Sequence, residues 1–168
     1  MPLRDIIKHP DPVLRQKARP VTDFNDELAE LIRDMTETMY NAPGIGLAAP
    51  QINVSLSLVV MDVTARDEKS EPITLINPEI LYTEGSQIDE EGCLSVVDFT
   101  AKVKRYQKIA VRALDLKGEV LEFEAEDWLA RVIQHEIDHL NGILFIDHLS
   151  SLKRGIYKKQ RKKQLQAT

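Results

Sequence analysis

The segment EDWLARVIQHEIDHL, Glu126 to Leu140, predicts the element around which the rest of the chain folds. Its apolar side chains recur at helical spacing and spread over most of the helix circumference: Trp128, Leu129, Val132, Ile133, Ile137 and Leu140. A helix that is apolar nearly all round is usually buried in the centre of a domain. Gly142 lies where the C-terminus of such a helix is expected. The segment therefore predicts a central, buried helix.

Within this helix, His135-Glu136-Ile137-Asp138-His139 matches the pattern H-E-x-x-H. Residues four apart lie on one helical face, so both imidazoles can bind a single metal ion. The Glu136 carboxylate lies beside them and can take a proton from a metal-bound water. Two histidines in so apolar a helix otherwise need another strong partner. The pattern predicts His135 and His139 as metal ligands and Glu136 as a general base.

Catalytic sites of the zinc type use three protein ligands and leave one position open, so two histidines are incomplete. Phe145 stands where one known arrangement has a third histidine, and no glutamate follows Glu136. Asp147 and His148 remain candidates, although they fall just past the helix. The upstream candidate is the single cysteine, Cys93, whose thiolate is a strong ligand for borderline divalent metals. The residues favour Cys93 over these two alternatives.

The remaining segments predict an α+β fold. Two have helical patterns, and the first has Asp23 or Asn25 as its cap: Asn25–Tyr40 and Leu149–Gln164. Three have strand patterns, the last two joined by a turn: Leu56–Val63, Gln107–Leu114 and Glu119–Glu124. Strands joined by turns favour antiparallel pairing. We expect one domain over residues 1–168, with antiparallel β-sheets packed around a central metal-binding helix and a C-terminal helix.

The composition restricts the class of protein and its cellular location. Hydrophobic residues make up 43% and charged residues 29%, which is typical of globular proteins. No apolar run approaches the ~20 residues that span a bilayer, and the opening Met1–Asp5 has no signal-peptide character. A single cysteine excludes an intrachain disulfide. We expect a cytoplasmic protein whose partners include neither a membrane nor DNA.

Two further stretches carry candidate site residues. Gly44–Gln51 (GIGLAAPQ) ends in an amide that could stabilise an oxyanion if it points at the metal. Glu91–Ser95 (EGCLS) contains the cysteine. With the helix motif, these stretches resemble, in order, three hallmarks of the peptide deformylase family: G-x-G-L-A-A-P-Q, E-G-C-L-S and H-E-x-D-H. The resemblance covers essentially the whole sequence and is closest to the bacterial type 1 form.

The resemblance implies a hydrolase that removes the formyl group from the N-formylmethionine of newly made proteins and releases formate. It implies that Cys93, His135 and His139 hold the metal. In most members of the family this is ferrous iron, Fe²⁺, while Zn²⁺, Ni²⁺ or Co²⁺ can occupy the site. The expected partners are N-formylmethionyl nascent polypeptides.

The resemblance also implies roles around the metal. Metal-bound water, activated by Glu136, attacks the formyl carbonyl, and the Gln51 side chain and the Leu94 backbone N–H stabilise the oxyanion. Six residues are expected to contact substrate, the apolar side chains among them as walls of a methionine pocket: Gly44, Ile45, Gly46, Glu91, Trp128 and Val132. The family pattern also pairs Glu91 with Arg105, which orders the loop that carries the cysteine.

This sequence departs from the family pattern at two positions after the cysteine. Val97 stands where the family commonly has proline, and Thr100 stands where several members have an arginine that contacts the substrate backbone. Neither change touches metal chemistry. Both bear on the stiffness of this loop and on peptide binding.

The C-terminal segment is strongly basic. After Asp147 the sequence has no acidic residue and seven basic ones: Lys153, Arg154, Lys158, Lys159, Arg161, Lys162 and Lys163. Since the net charge is −5, the rest of the chain carries −5 − 7 = −12. Such a run is usually a solvated helix face; the alternative is contact with ribosomal RNA where nascent chains emerge, which would be salt-sensitive.

Two other functions are compatible with the metal-binding helix. A zinc endopeptidase would use Asp147 or His148 as its third ligand and would keep its metal after Cys93→Ser. A non-catalytic metal-binding module would bind metal without hydrolysis, and Glu136 would then be dispensable.

Overall fold

The computed structural model describes residues 3–64 and 68–167, so the first two residues of the opening Met1–Asp5 stretch lie outside the described ranges. Helices and strands follow one another in this order: α1 (Asp26–Asn41), β1 (Gly46–Ala48), β2 (Leu58–Met61), β3 (Ile73–Glu84), β4 (Gln87–Cys93), β5 (Val96–Arg105), β6 (Lys108–Leu114), β7 (Val120–Glu126), α2 (Asp127–Leu140) and α3 (Ser151–Gln166).

The strands form two antiparallel sheets. One has five strands in the order β1-β2-β3-β6-β7, and the other is the β4–β5 hairpin. No crossover helix joins paired strands among the described residues, which accounts for the antiparallel pairing. The predicted α+β class with antiparallel sheets is confirmed.

Helix α2 lies against the five-stranded sheet, as its sequence predicts. The inward positions of β6 alternate along the strand, and Ile109, Val111 and Ala113 are all buried. They share one hydrophobic cluster with Ile133 and Leu140 of α2. The helix is therefore held along its length by the core, which fixes the position of the two histidines.

Helix α1 covers another part of this sheet. Its cap is Asn25, whose side chain accepts a hydrogen bond from the Leu28 backbone N–H at 3.0 Å. Met35 and Met39 are fully buried against Leu58 of β2 and its neighbours. The helix ends before Pro43, and the chain then enters β1.

Helix α3 follows its own cap, Ser150. It is anchored by a single buried side chain, Tyr157, which packs with Val96, Val103 and Phe145. The other residues of the helix are exposed or half-buried. Across the ranges that the structure describes, no helix combines the length and the apolar character needed to cross a membrane.

Candidate metal centre

Helix α2 and the end of β4 bring three potential metal-binding side chains together. His135 and His139 lie one turn apart on α2, with their Nε2 atoms 3.3 Å apart. Cys93 is the last residue of β4, and its Sγ lies 3.3 Å from the His139 Nε2. All three potential ligand atoms lie within 4.8 Å of one another.

The spacing of these atoms fits a metal ion. Two nitrogens at about 2.0–2.1 Å from a tetrahedral ion lie roughly 3.3–3.4 Å apart, and the two Nε2 atoms are 3.3 Å apart. Burial lowers the pKa of His139 well below its usual range, and the neighbouring His135 adds to this effect. The ring is therefore neutral, which is the form that binds metal.

A buried glutamate fixes the orientation of His135. The His135 Nδ1 donates to the Glu91 Oε1 at 2.9 Å. This bond places one ring proton on Nδ1 and leaves Nε2 as the atom that would bind a metal. Burial lowers the pKa of His135, but its contacts with Cys93 and Glu91 outweigh this and raise the pKa well above its usual range, so metal binding has to displace a proton from Nε2. The sequence expectation placed Glu91 in contact with substrate; in the structure both of its carboxylate oxygens are bonded to protein groups.

Two arginines hold Glu91. Arg105 donates from Nε and Nη2, both at 2.8 Å, and Arg131 donates from Nη1 at 2.5 Å. Burial raises the pKa of Glu91, but the hydrogen bonds from Arg105 and His135 outweigh it and hold the pKa well below its usual range. The ion pair between Glu91 and Arg105 is therefore present as expected. Arg131 was not foreseen as a partner.

The alternative third ligands are engaged elsewhere. His148 Nε2 lies 2.8 Å from an Asp138 oxygen. Asp138 also accepts a hydrogen bond from Arg105, the arginine that holds Glu91. The Asp147 carboxylate pairs with Arg15 at 2.6 Å. Within residues 3–64 and 68–167, Cys93 completes the cluster of potential ligands with the two histidines of α2.

Glu136 is the unusual carboxylate of the site. It is 3% exposed, and its Oε2 has no hydrogen-bond partner among the described residues. Burial raises the pKa of Glu136 to about 7, whereas a metal cation beside it would act in the opposite direction. An unpartnered buried oxygen is costly, so its retention fits a group that serves the reaction.

Space for this carboxylate depends on Gly46. A Cβ added at Gly46 would overlap the Glu136 Oε1. Gly46 is the first residue of β1, so the strand backbone passes directly beside the carboxylate. The glycine at this position of the Gly44–Gln51 stretch is thus explained by close approach of backbone to the site.

Gln51 lies opposite these groups in a short 3₁₀ helix, Ala49–Ile52, and is 1% exposed. Its Oε1 accepts from the Ala48 backbone N–H at 2.9 Å, and its Nε2 donates to the Ser95 Oγ at 3.0 Å. The same Nε2 lies 3.7 Å from the Cys93 Sγ. The amide therefore presents its NH₂ to the three potential metal ligands.

A cavity of about 350 Å³ opens onto the cluster. Its lining includes all six residues expected to contact substrate: Gly44, Ile45, Gly46, Glu91, Trp128 and Val132. It also includes Gln51, Leu94 and Glu136, and two of the three candidate metal ligands, Cys93 and His135. Ile45 and Trp128 are 42% and 41% exposed at the rim, whereas Val132 is buried. The third ligand candidate, His139, lies behind this wall.

The two departures from the family pattern are not among the residues that line the cavity, although Thr100 lies beside Gly92, which does. The Val97 carbonyl accepts a hydrogen bond from Gln164 of α3 at 3.4 Å. Thr100 donates to the Glu90 carboxylate at 2.5 Å, across the β4–β5 hairpin. Both residues therefore make internal contacts of the hairpin region.

A Cys-His-His cluster beside a buried glutamate, on an α+β scaffold, defines a mononuclear metallohydrolase. Comparison with known proteins gives the family. The chain belongs to the polypeptide deformylase family, whose model matches residues 3–155.

Individual relatives agree. The chain is 57% identical to the peptide deformylase of Desulfotalea psychrophila over 164 residues, which is 97% of either chain. It is 54% identical to that of Acidobacterium capsulatum over 156 residues, covering 93% of this chain and 92% of the relative. A crystal structure of a peptide deformylase from Legionella pneumophila superposes with a TM-score of 0.91 at 47% identity, covering 99% of this chain and 98% of that one.

The predicted family is therefore confirmed, and the chain is an enzyme that removes formyl groups from N-formylmethionine peptides. The endopeptidase and the non-catalytic module are not favoured. A further solved relative, the peptide deformylase of Synechococcus elongatus, is described in complex with actinonin, with a TM-score of 0.86 and 43% identity over 90% of this chain.

Proposed function

We propose that this chain deformylates nascent polypeptides with Cys93, His135 and His139 as metal ligands and Glu136 as general base. The observation that carries the assignment is the cluster of three donor atoms beside an unpartnered, buried carboxylate at the wall of one cavity. Each part of the reaction has a candidate group in this small volume.

A bound divalent ion would act there as a Lewis acid and lower the pKa of a coordinated water. The chain itself supplies the proton transfer. Glu136 accepts the proton of the attacking water at its carboxylate and later donates it to the leaving amine. Burial raises the pKa of Glu136, and a bound cation beside it would lower the pKa again, which favours the ionised carboxylate that can take the proton.

The oxyanion that forms at the formyl carbon needs donors that are already in place. The Gln51 NH₂ is held by its bonds to Ala48 and Ser95. The Leu94 backbone N–H, next to the cysteine and on the same cavity, is the second proposed donor. One hydrogen of the Gln51 NH₂ is bonded to the Ser95 Oγ, and the other, with Nε2 3.7 Å from the Cys93 Sγ, is the one we propose for the oxyanion.

The cavity selects the substrate. Ile45, Trp128 and Val132 form an apolar wall for a methionine side chain. Gly44 and Gly46 leave room for the Leu94 and Glu136 side chains and are proposed to lie along the substrate backbone, and Glu91 orients His135. The proposed substrates are therefore peptides that begin with N-formylmethionine.

The donor set also bears on the metal. A thiolate and two imidazoles suit Fe²⁺, Zn²⁺, Ni²⁺ and Co²⁺, and affinity order alone does not decide occupancy. We propose Fe²⁺ as the ion in the cell. We further propose that residues 1–168 act as a single catalytic domain in the cytoplasm, without membrane or DNA partners.

The direct test is release of formate from a formyl-Met tripeptide by the protein purified without oxygen and loaded with Fe²⁺. We expect rapid release of formate from the formylated tripeptide. A folded, metal-loaded protein that released no formate would contradict the proposal.

A second proposal concerns α3. Lys158, Lys159, Lys162 and Lys163 are exposed on this helix, away from the cavity. We propose that they contact ribosomal RNA and so place the enzyme near its substrate. Since such contacts release counterions, the binding should weaken as salt rises.

Changing these four lysines to glutamine should abolish co-sedimentation with ribosomes at low salt and leave tripeptide deformylation unchanged. The matched control removes four exposed lysines elsewhere: Lys17, Lys69, Lys102 and Lys117. Equal loss in both variants would indicate a general charge effect, and no loss in the first would refute the contact.

A further inference from the structure

A short N-terminal segment joins the two parts of the chain that carry the proposed oxyanion donors. We call this segment, residues 7–9, the N-terminal strap. The Ile7 N–H donates to the Gln51 carbonyl at 2.7 Å, and the His9 N–H donates to the Ser95 carbonyl at 2.8 Å. Between them, the Lys8 ammonium donates to the Leu94 carbonyl at 2.9 Å.

The two donors come from separate elements. Gln51 lies on the 3₁₀ helix after β1, and Leu94 lies in the turn between β4 and β5. Both must point at one oxygen atom, and a misplacement of about 1 Å in such a site can cost ~100-fold in rate. A segment that is bonded to both elements therefore bears directly on their alignment.

Helix α3 in turn holds the N-terminal strap. Tyr157 OH lies 2.9 Å from the His9 Nδ1, and the Arg161 Nε donates to the His9 carbonyl at 2.7 Å. Tyr157 is fully buried, so this attachment is part of a packed cluster. The strap is thus a fixed support rather than a loose end.

Lys8 contributes the strap's side-chain bond to the cysteine-bearing turn. Its ammonium carries a full charge, and a charged donor makes a stronger hydrogen bond than a neutral one. The bond holds the Leu94 carbonyl, and with it the turn that presents the Leu94 N–H. We infer that Lys8 is a positioning residue for the oxyanion donors, an inference that rests on the proposed function.

Loss of this bond should show in the chemical step. Lys8→Met keeps most of the length and removes the donor, and it should lower kcat roughly 3- to 10-fold with little change in KM, as expected for one solvent-exposed hydrogen bond. Because Lys8 is exposed and touches no ligand, melting temperature and bound metal should stay at the values of the unchanged protein. Lys8→Arg should restore kcat.

Two further variants separate this inference from the proposed function. Lys17→Met removes an exposed lysine elsewhere in the N-terminal region and should leave kcat unchanged. Gln51→Leu removes a proposed oxyanion donor and should lower kcat about 10²- to 10³-fold.

If Gln51→Leu lowers kcat but Lys8→Met does not, the role of Lys8 is refuted and the proposed function stands. If Gln51→Leu has no effect either, the oxyanion-donor assignment and the role of Lys8 that depends on it are both refuted, whereas the proposed function is refuted only if the unchanged protein releases no formate. A fall in metal content or melting temperature in Lys8→Met that accounts for its lost activity would also overturn the positioning role.

Discussion

Replacing Glu136 with glutamine should lower kcat for a formyl-Met tripeptide by about 10²- to 10⁴-fold, the usual contribution of a positioned general base. Glutamine has nearly the same shape, so it fits beside Gly46 where the strand backbone leaves no room for a larger change. It cannot accept the proton of the attacking water. Because Glu136 is not one of the three potential metal ligands, the metal content should remain near one ion per chain.

The measurement is formate release under saturating substrate, with metal content determined on the same samples. Glu119→Gln removes the same charge at an exposed position outside the cavity and should behave as the unchanged protein. Full activity in Glu136→Gln would exclude this residue as the base. Loss of metal together with activity would instead make it part of the metal site.

The central helix could be predicted because its information is local. The H-E-x-x-H motif and the apolar residues around it lie within one stretch, and helical spacing alone brings His135 and His139 to one face. The observed helix Asp127–Leu140 begins one residue later than the predicted segment. The caps at Asn25 and Ser150 are equally local, since each side chain bonds the first turn that follows it.

Strand β3 was not predicted, and neither was the pairing of β4 with β5. The β4 sequence Gln87–Cys93 contains three consecutive acidic residues, a composition that is depleted in strands. In the structure Glu90 lies opposite Lys102 and its carboxylate accepts from Thr100, while Asp89 and Glu91 lie opposite Val103 and Ala101. Such cross-strand contacts depend on the neighbouring strand, so a single segment does not reveal them.

In the candidate site, too, some features could be predicted from local sequence and others depend on the fold. Sequence reasoning named Cys93 because the histidine pair lacked a ligand, yet only the fold brings β4 to α2. Arg131 and Ser95 were missed as supporting groups. Their roles depend on partners far away in the sequence, Glu91 for the arginine and Gln51 for the serine. Long-range hydrogen bonds of this type require the tertiary structure.

Replacing Cys93 with serine should weaken metal binding by more than the ~10- to 100-fold that removal of a supporting partner of a ligand typically costs. The thiolate is the soft member of the donor set, and a serine hydroxyl at the same position is not deprotonated near neutral pH. The two remaining histidines leave the site with fewer than the three protein ligands that such centres use. Formate release should fall with metal content.

The matched variant is His148→Ala, which removes an alternative third ligand. In the structure His148 contacts Asp138 and Arg105, outside the ligand cluster, so this variant should lose at most about tenfold in metal affinity. Metal content after gel filtration against a chelator, and the dissociation constant by competition, measure both variants. Metal retained in Cys93→Ser and lost in His148→Ala would reverse the ligand assignment and favour the endopeptidase arrangement. The opposite result would fix the thiolate as the third ligand, because the two variants differ in which candidate side chain they remove.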